Sequence, residues 1–170
     1  NLREKAGNFL ELFTVLSVGF VLLASEVYRY VYVSRDFWGS TMLIPIFVSS
    51  YYTNFLCTFP VNFEYYHKKT KVVSIITIVS SLINVGLNYL LILRIGMAGA
   101  AVATLISHSL QLTLHYLYVR FALGGKEYPF PLKMWVGYAA VFAAVAVASV
   151  AADGLWLARW GLGAAVGLWE

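Results

Sequence analysis

The chain has 170 residues, of which 61% are hydrophobic and 12% are charged, and its mean hydropathy is +0.75. Soluble domains are about half apolar and about a quarter charged, so this composition excludes an ordinary soluble domain and predicts a membrane protein. The net charge of +4 does not indicate nucleic-acid binding, because the basic residues stand at the ends of apolar runs and form no patch with spaced aromatics. A single cysteine, Cys57, excludes an intramolecular disulfide and a zinc cluster.

Six apolar segments follow one another along the chain. A helix needs roughly 20 apolar residues to cross a bilayer core about 30 Å thick, and the runs do not alternate with period two as barrel strands do. We therefore predict an all-α fold, a polytopic transmembrane helix bundle that forms one domain over residues 1–170. The predicted helices cover residues 10–33, 40–63, 72–93, 96–119 and 134–152, with a sixth from 155. The chain starts at Asn1 without a signal-peptide pattern and stops inside an apolar run, so we expect it to be part of a longer polytopic protein.

The distribution of lysine and arginine over alternate loops predicts the orientation of the helices. Eight basic residues fall on the side that we expect to face the cytoplasm, and four fall on the other side. The first group is Arg3, Lys5, Lys68, Lys69, Lys71, Arg120, Lys126 and Lys133, and the second is Arg29, Arg35, Arg94 and Arg159. The third predicted helix then runs outward, and because only Arg94 and Ile95 separate it from the fourth, the two form a tight antiparallel hairpin.

The third predicted helix carries a polar stripe at spacings of three, four, three and four: Ser74, Thr77, Ser81, Asn84 and Asn88. A buried amide without a partner costs on the order of a few kcal/mol in an apolar medium, so the stripe is expected to face another helix or a wet cavity. Two interpretations remain open. These side chains either form hydrogen bonds between helices or line a substrate pathway.

The fourth predicted helix carries two adjoining stripes. Small residues, which allow close approach of helices in lipid, are Gly96, Gly99, Ala100, Ala103 and Ser107. Polar residues are Thr104, His108, Gln111 and His115, and the first three of these are candidates for the substrate pathway. For the two histidines a structural role is the main alternative to a role as proton carrier or ligand, and His115 is also consistent with a position at the cytoplasmic interface.

Glu26 and Arg29 lie three positions apart within the first apolar run and are therefore neighbours on a helix surface. Charges inside a membrane are costly and indicate function by default, although Arg29 is close enough to the outer end to reach the interface. No nucleotide-binding, metalloprotease, hydrolase or redox motif is present. His108 and His115 lack an adjacent carboxylate in the sequence, so the pair is a poor metal site. We therefore expect neither an enzyme nor a cofactor.

The third and fourth predicted helices resemble the carboxy-terminal part of the polysaccharide exporters. These are the flippases for O-antigen and lipid-linked oligosaccharides within the multidrug/oligosaccharidyl-lipid/polysaccharide exporter superfamily. The resemblance rests on the order of a basic loop, an asparagine pair, a short turn and the sequence GAAVATLIS. The residues that carry it are Lys68, Lys69, Thr70, Lys71, Asn84, Asn88, Gly96, Gly99, Ala100, Ala101, Ala103, Thr104 and Ser107.

The resemblance implies a fragment of the second lobe of a two-lobe exporter in a bacterial inner membrane, with the amino-terminal lobe outside this sequence. It also implies alternating-access transport of a sugar linked to polyprenyl pyrophosphate, with membrane lipid as the other partner. Arg29 is our own candidate for attracting the pyrophosphate. Two alternatives remain open: a cation-coupled multidrug exporter of the same superfamily, and a membrane enzyme of surface-polysaccharide assembly.

Overall fold

The computed structural model describes residues 2–27 and 43–124, together with isolated positions between 133 and 147. The four helices are α1 (Leu2–Val27), α2 (Ile44–Tyr66), α3 (Thr70–Ile95) and α4 (Met97–Phe121). No strand occurs in this described part of the chain, so the prediction of an all-helical protein is confirmed there. The chain divides into two compact units, residues 1–49 with 136–170 and residues 50–135. The fifth and sixth predicted helices lie outside the described residues, apart from the isolated positions.

Helix α1 belongs to the first unit and begins eight residues before the predicted start of the first apolar run. Its opening turns contain Glu4, Lys5 and Ala6, which favour a helix but not a membrane interior, so the helix extends beyond the hydrophobic segment. One face of α1 is buried, with Leu10 and Val18 fully enclosed. The opposite face is exposed and apolar, as expected for a helix that meets lipid. Its large side chains are Phe9, Leu12, Leu16, Phe20 and Leu23.

Helix α2 contains both prolines of the second predicted helix. Pro45 lies in the first turn, where a missing N–H leaves no hydrogen bond unmade. Pro60 lies inside the helix and is fully buried. Residues from Ser50 onward belong to the second unit, together with α3 and α4.

Helices α3 and α4 form an antiparallel hairpin in which Gly96 alone separates the two elements. The backbone of Gly96 has φ +63° and ψ −141°, a conformation that is essentially restricted to glycine. Its N–H donates to the carbonyl of Ile92, and the N–H of Gly99 donates back to the carbonyl of Gly96, both at 2.9 Å. The predicted tight turn is therefore shorter than the Arg94–Ile95 connection expected from the sequence, because α3 continues through Ile95.

Three of the described helices are long and apolar enough to cross a membrane: α1 over Glu4–Ala24, α3 over Thr70–Ile95 and α4 over Met97–Phe121. Helix α2 is of similar length but carries six consecutive polar or aromatic-hydroxyl side chains over residues 49–54, and it is not among the three. The described part of the chain thus has the character of a membrane protein.

Candidate functional site

The hairpin helices touch through their backbones at Gly99. A Cβ atom on Gly99 would lie against the carbonyl group of Leu91 and 2.8 Å from the backbone nitrogen of Ile92, closer than real Cβ atoms approach other atoms. Ala103 and Ser107 continue the same stripe toward the other end of α4 and are buried. Ala100 is half-buried beside them. The small residues thus allow the two backbones to approach at one end of the hairpin.

The asparagines of α3 form a chain of hydrogen bonds that reaches α4. Asn88 Nδ2 donates to Asn84 Oδ1 at 2.9 Å and to the Asn84 carbonyl at 3.0 Å. Asn84 Nδ2 donates to Ser107 Oγ at 3.2 Å, and the Ser107 hydroxyl donates to the Ala103 carbonyl at 2.8 Å. Asn84 therefore connects the two helices, whereas Asn88 orients Asn84. Both residues are half-buried, so part of each side chain is not covered by the contact between α3 and α4.

The other candidate side chains of the hairpin differ in exposure. Ser81 is exposed on α3, and its neighbour Ser80 is the buried serine, with a hydroxyl that has no hydrogen-bond partner among the described residues. Thr104 is half-buried and donates to the carbonyl of Ala100 in its own helix at 2.8 Å. Gln111 is half-buried on α4. Of these three predicted pathway residues, Thr104 and Gln111 lie on the partly enclosed side of the hairpin.

His108 contacts α2 through Ser50. Its Nδ1 lies 3.0 Å from both the hydroxyl and the carbonyl oxygen of Ser50. With a proton on Nδ1 the ring donates to the carbonyl, and without that proton the hydroxyl donates to the ring, so the contact accommodates either tautomer. The Tyr51 ring lies 6.4 Å from the imidazole, centroid to centroid.

His115 forms a buried pair with Glu64 of α2, and both side chains are fully enclosed. Its Nδ1 donates to the two carboxylate oxygens at 2.9 and 3.0 Å. The other ring nitrogen, Nε2, is buried and has no hydrogen-bond partner among the described residues. The sequence places no carboxylate next to His115, but the fold brings one to it from 51 positions away. His115 is therefore enclosed within the second unit.

The end of α2 fixes the position of Glu64. Lys68 has a positive φ of +56°, and two backbone hydrogen bonds of 2.9 Å close the helix, from Lys68 N–H to the Tyr65 carbonyl and from Lys69 N–H to the Glu64 carbonyl. This is the Schellman arrangement, in which a left-handed residue terminates a helix. Glu64 therefore stands in the last turn of α2, next to the basic connection to α3. It is the one charged residue in the sequence of α2, a signal that would have identified it.

The two histidines of α4 lie seven positions apart. On α2, Ser50, Cys57 and Glu64 follow one another at successive intervals of seven positions. Ser50 contacts His108 and Glu64 contacts His115, so these parts of α2 and α4 run in the same direction. Cys57 is a buried free thiol between the two contacts along α2. Within the second unit, the contacts between α2 and α4 thus bring both histidines of α4 to polar groups of α2.

The side chains of the two remaining candidates, Glu26 and Arg29, lie outside the described part of the structure. Glu26 lies within α1, but its side chain falls outside the described part, and Arg29 lies outside the described residues altogether. No group of three or more histidine, cysteine or acidic side chains suited to a metal ion occurs among the residues that the structure describes.

Comparison with known proteins gives no match to a protein-family model, to a curated protein or to a solved structure.

Proposed function

We propose that the chain is part of a membrane transporter that moves lipid-linked oligosaccharide across a bacterial inner membrane by alternating access. The observation that carries the proposal is the order of a basic loop, the Asn84 and Asn88 pair, and a glycine-containing hairpin, which resembles the polysaccharide exporters. The proposed partners are a sugar linked to polyprenyl pyrophosphate, membrane lipid and an amino-terminal lobe of the same protein. In this proposal the chain carries cargo and catalyses no reaction.

The physical requirement for such transport is a set of hydrogen-bonding groups within an apolar helix bundle. A sugar head group loses its hydration on entering hydrocarbon, and each unpaired polar group then costs on the order of a few kcal/mol. Half-buried amides and hydroxyls on the hairpin, among them Asn88, Thr104 and Gln111, have the chemistry to replace that hydration. Asn84 is the weaker candidate for contact with cargo, since its amide nitrogen bonds Ser107 and its amide oxygen accepts from Asn88. Asn88 uses its amide nitrogen in the bonds to Asn84, so its side-chain oxygen is the atom that we propose for contact with cargo.

The test is transport by the intact protein in proteoliposomes that contain a labelled polyprenyl-pyrophosphate oligosaccharide. We expect protein-dependent appearance of the sugar on the far leaflet. Asn88→Leu should lower the initial rate by about tenfold, equivalent to one lost hydrogen bond of about 1.4 kcal/mol. Ser109→Ala is the matched control, because Ser109 is exposed on α4 and bonds only its own helix, at the Leu105 carbonyl. Rates equal to those of protein-free vesicles would reject the transport proposal, and full activity after joint replacement of Asn84 and Asn88 by Leu would reject a role for the asparagines.

A second candidate function is a cation-coupled multidrug exporter of the same superfamily. The buried Glu64–His115 pair favours it, because ion-coupled exporters require a carboxylate inside the bundle. The two functions differ in cargo. Expression of the intact protein should restore surface polysaccharide to a strain that lacks its own flippase if the first function holds, and should raise resistance to cationic drugs if the second holds.

A further inference from the structure

We propose that His115 and Glu64 form a proton-binding site, in which His115 Nδ1 stays bonded to the carboxylate while Nε2 takes up and releases a hydrogen ion. Only the coupling of this proton to transport rests on the proposed function. The binding itself is a property of the pair.

The first argument is geometric. Both oxygens of Glu64 lie within hydrogen-bond distance of the same ring nitrogen, Nδ1. An ionised carboxylate only accepts hydrogen bonds, so Nδ1 carries a proton in this contact. The tautomer of the neutral ring is thereby fixed, and Nε2 is left as the atom that gains or loses a proton. A purely structural histidine would have its second nitrogen satisfied as well, yet this Nε2 is buried without a partner among the described residues.

The second argument concerns charge. With a neutral imidazole the enclosed pair has a net charge of −1, carried by Glu64. With an imidazolium the net charge is zero. No lysine or arginine of the described part lies within ion-pairing distance of Glu64, so the proton on His115 is the charge available to neutralise it there. A buried net charge is unfavourable in a low-dielectric interior, and uptake of one proton removes it.

The surrounding elements supply few other titratable groups. On α2, Cys57 is the buried thiol that interacts electrostatically with Glu64, and the tyrosines of the same helix are Tyr51, Tyr52, Tyr65 and Tyr66. The connection to α3 contributes His67, whose Nδ1 lies 2.9 Å from the carbonyl of Phe63, and the exposed lysines 68, 69 and 71. Helix α3 has only Tyr89 between Lys71 and Arg94, and α4 adds His108, Tyr116, Tyr118 and the exposed Arg120. The cations are exposed to solvent and screened, so none of them replaces the proton on His115.

The position of the pair suits exchange with water. Glu64 is in the last turn of α2, and its backbone carbonyl accepts the N–H of Lys69, the residue that precedes α3. The pair is enclosed, but the basic connection between α2 and α3 begins only three residues after Glu64. A small opening between the ends of α2 and α4 would connect Nε2 to the aqueous phase on that side. A transporter that alternates between two states has the motion required for such an opening.

The experiment is nitrogen NMR of the intact protein in lipid bilayers, with labelled histidine, between about pH 5 and 9. We expect His115 Nδ1 to remain protonated while Nε2 changes from a bare nitrogen to an N–H as the pH falls. His115→Asn assigns the signal, and it retains an amide donor near the position of Nδ1 while removing the titrating nitrogen. If this variant does not insert, Glu64→Gln assigns the signal, because it changes the acceptor that faces His115 Nδ1.

Transport rates provide the second measurement. If one proton is coupled to transport, the wild-type rate changes by up to about tenfold per pH unit on one limb of its pH profile. His115→Asn should remove that dependence, and His67→Asn should retain it. A single protonation state of Nε2 over the whole range would overturn the proton site, and an unchanged pH profile in His115→Asn would reject its coupling to transport. Titration of His115 in a protein that moves no oligosaccharide would support the proton site and reject the transport function.

Discussion

Gly99 occupies the point of α4 that lies against the backbone of α3 near Leu91 and Ile92. We predict that Gly99→Ala destabilises the protein by about 1–3 kcal/mol, because the neighbours of the new methyl group are backbone atoms that cannot rotate away. Gly86→Ala is the matched control, since a Cβ at Gly86 of α3 meets no atom within 4 Å. That change should be neutral or should stabilise α3 by up to about 1 kcal/mol. Thermal unfolding in detergent measures both, and equal melting temperatures for the two variants would contradict the close contact.

Lys68 adopts a left-handed backbone conformation that costs a non-glycine residue roughly 1–2 kcal/mol. We predict that Lys68→Gly stabilises the end of α2, by up to about 1 kcal/mol after the larger entropy loss of glycine is subtracted. The matched control is Lys69→Gly, which removes a lysine at a position with φ −93° and should not stabilise. Hydrogen exchange of the amides at Lys68 and Lys69 reports on the same helix end, and faster exchange in Lys68→Gly would contradict the prediction.

The sequence predicts individual residues well where the signal is local, and poorly where it depends on a partner helix. The small residues of α4 recur at helical spacing, so their packing role is visible in the sequence. The partner of His115 is 51 positions away, and no spacing rule connects residues across an intervening helix. The orientation of Ser81 also depends on tertiary structure, because only the packing of α4 against α3 decides whether Ser80 or Ser81 is enclosed.

The hairpin of α3 and α4 is held together by a polar contact as well as by close packing. Asn84 and Ser107 form the hydrogen bond between the two helices, and such bonds contribute about 0.6–2 kcal/mol in membrane proteins. We predict a coupling energy of that size in a double-mutant cycle of Asn84→Ala and Ser107→Ala. Ser74→Ala is the control, because Ser74 is exposed and bonds only the Thr70 carbonyl of its own helix. Additive effects of the two substitutions would show that the contact contributes nothing to stability.

The sequence predicts correctly which side of α3 is enclosed only in the second half of that helix. Asn84 and Asn88 belong to the predicted polar stripe and are half-buried, whereas Ser74, Thr77 and Ser81 of the same stripe are exposed. The enclosed residues of that half are Val73 and Ser80, seven positions apart. Helical spacing alone does not decide which of two adjacent stripes of α3 is buried. The rest of α3 is apolar all round and does not distinguish them either, so packing against α4 determines which stripe is enclosed.

At the level of the full chain, the all-helical class follows from composition alone, since unbroken apolar runs permit little else in a membrane. The helix boundaries do not follow so directly, because hydropathy marks where lipid begins and not where a helix begins. Helix α1 extends into the charged segment at its start, and α2 and α3 extend by a few residues into the basic connection between them. The Glu26–Arg29 pair and the last two predicted helices remain predictions.

The direction in which α3 crosses the membrane is the prediction on which the placement of the proton site depends. From Lys71 to Arg94 the helix rises about 35 Å at 1.5 Å per residue, which exceeds a hydrocarbon core of about 30 Å. We therefore predict that the two residues face opposite compartments, and the excess of lysine and arginine on the Lys71 side predicts that this side faces the cytoplasm. In a Cys57→Ala background, an impermeant maleimide should label Lys71→Cys only from the cytoplasmic face and Arg94→Cys only from the outer face. The native Cys57, which is 3% exposed, should react from neither face before denaturation. Labelling of both sites from one face would contradict the crossing itself, whereas exchanged faces would preserve the crossing and move Glu64 and His115 to the outer side.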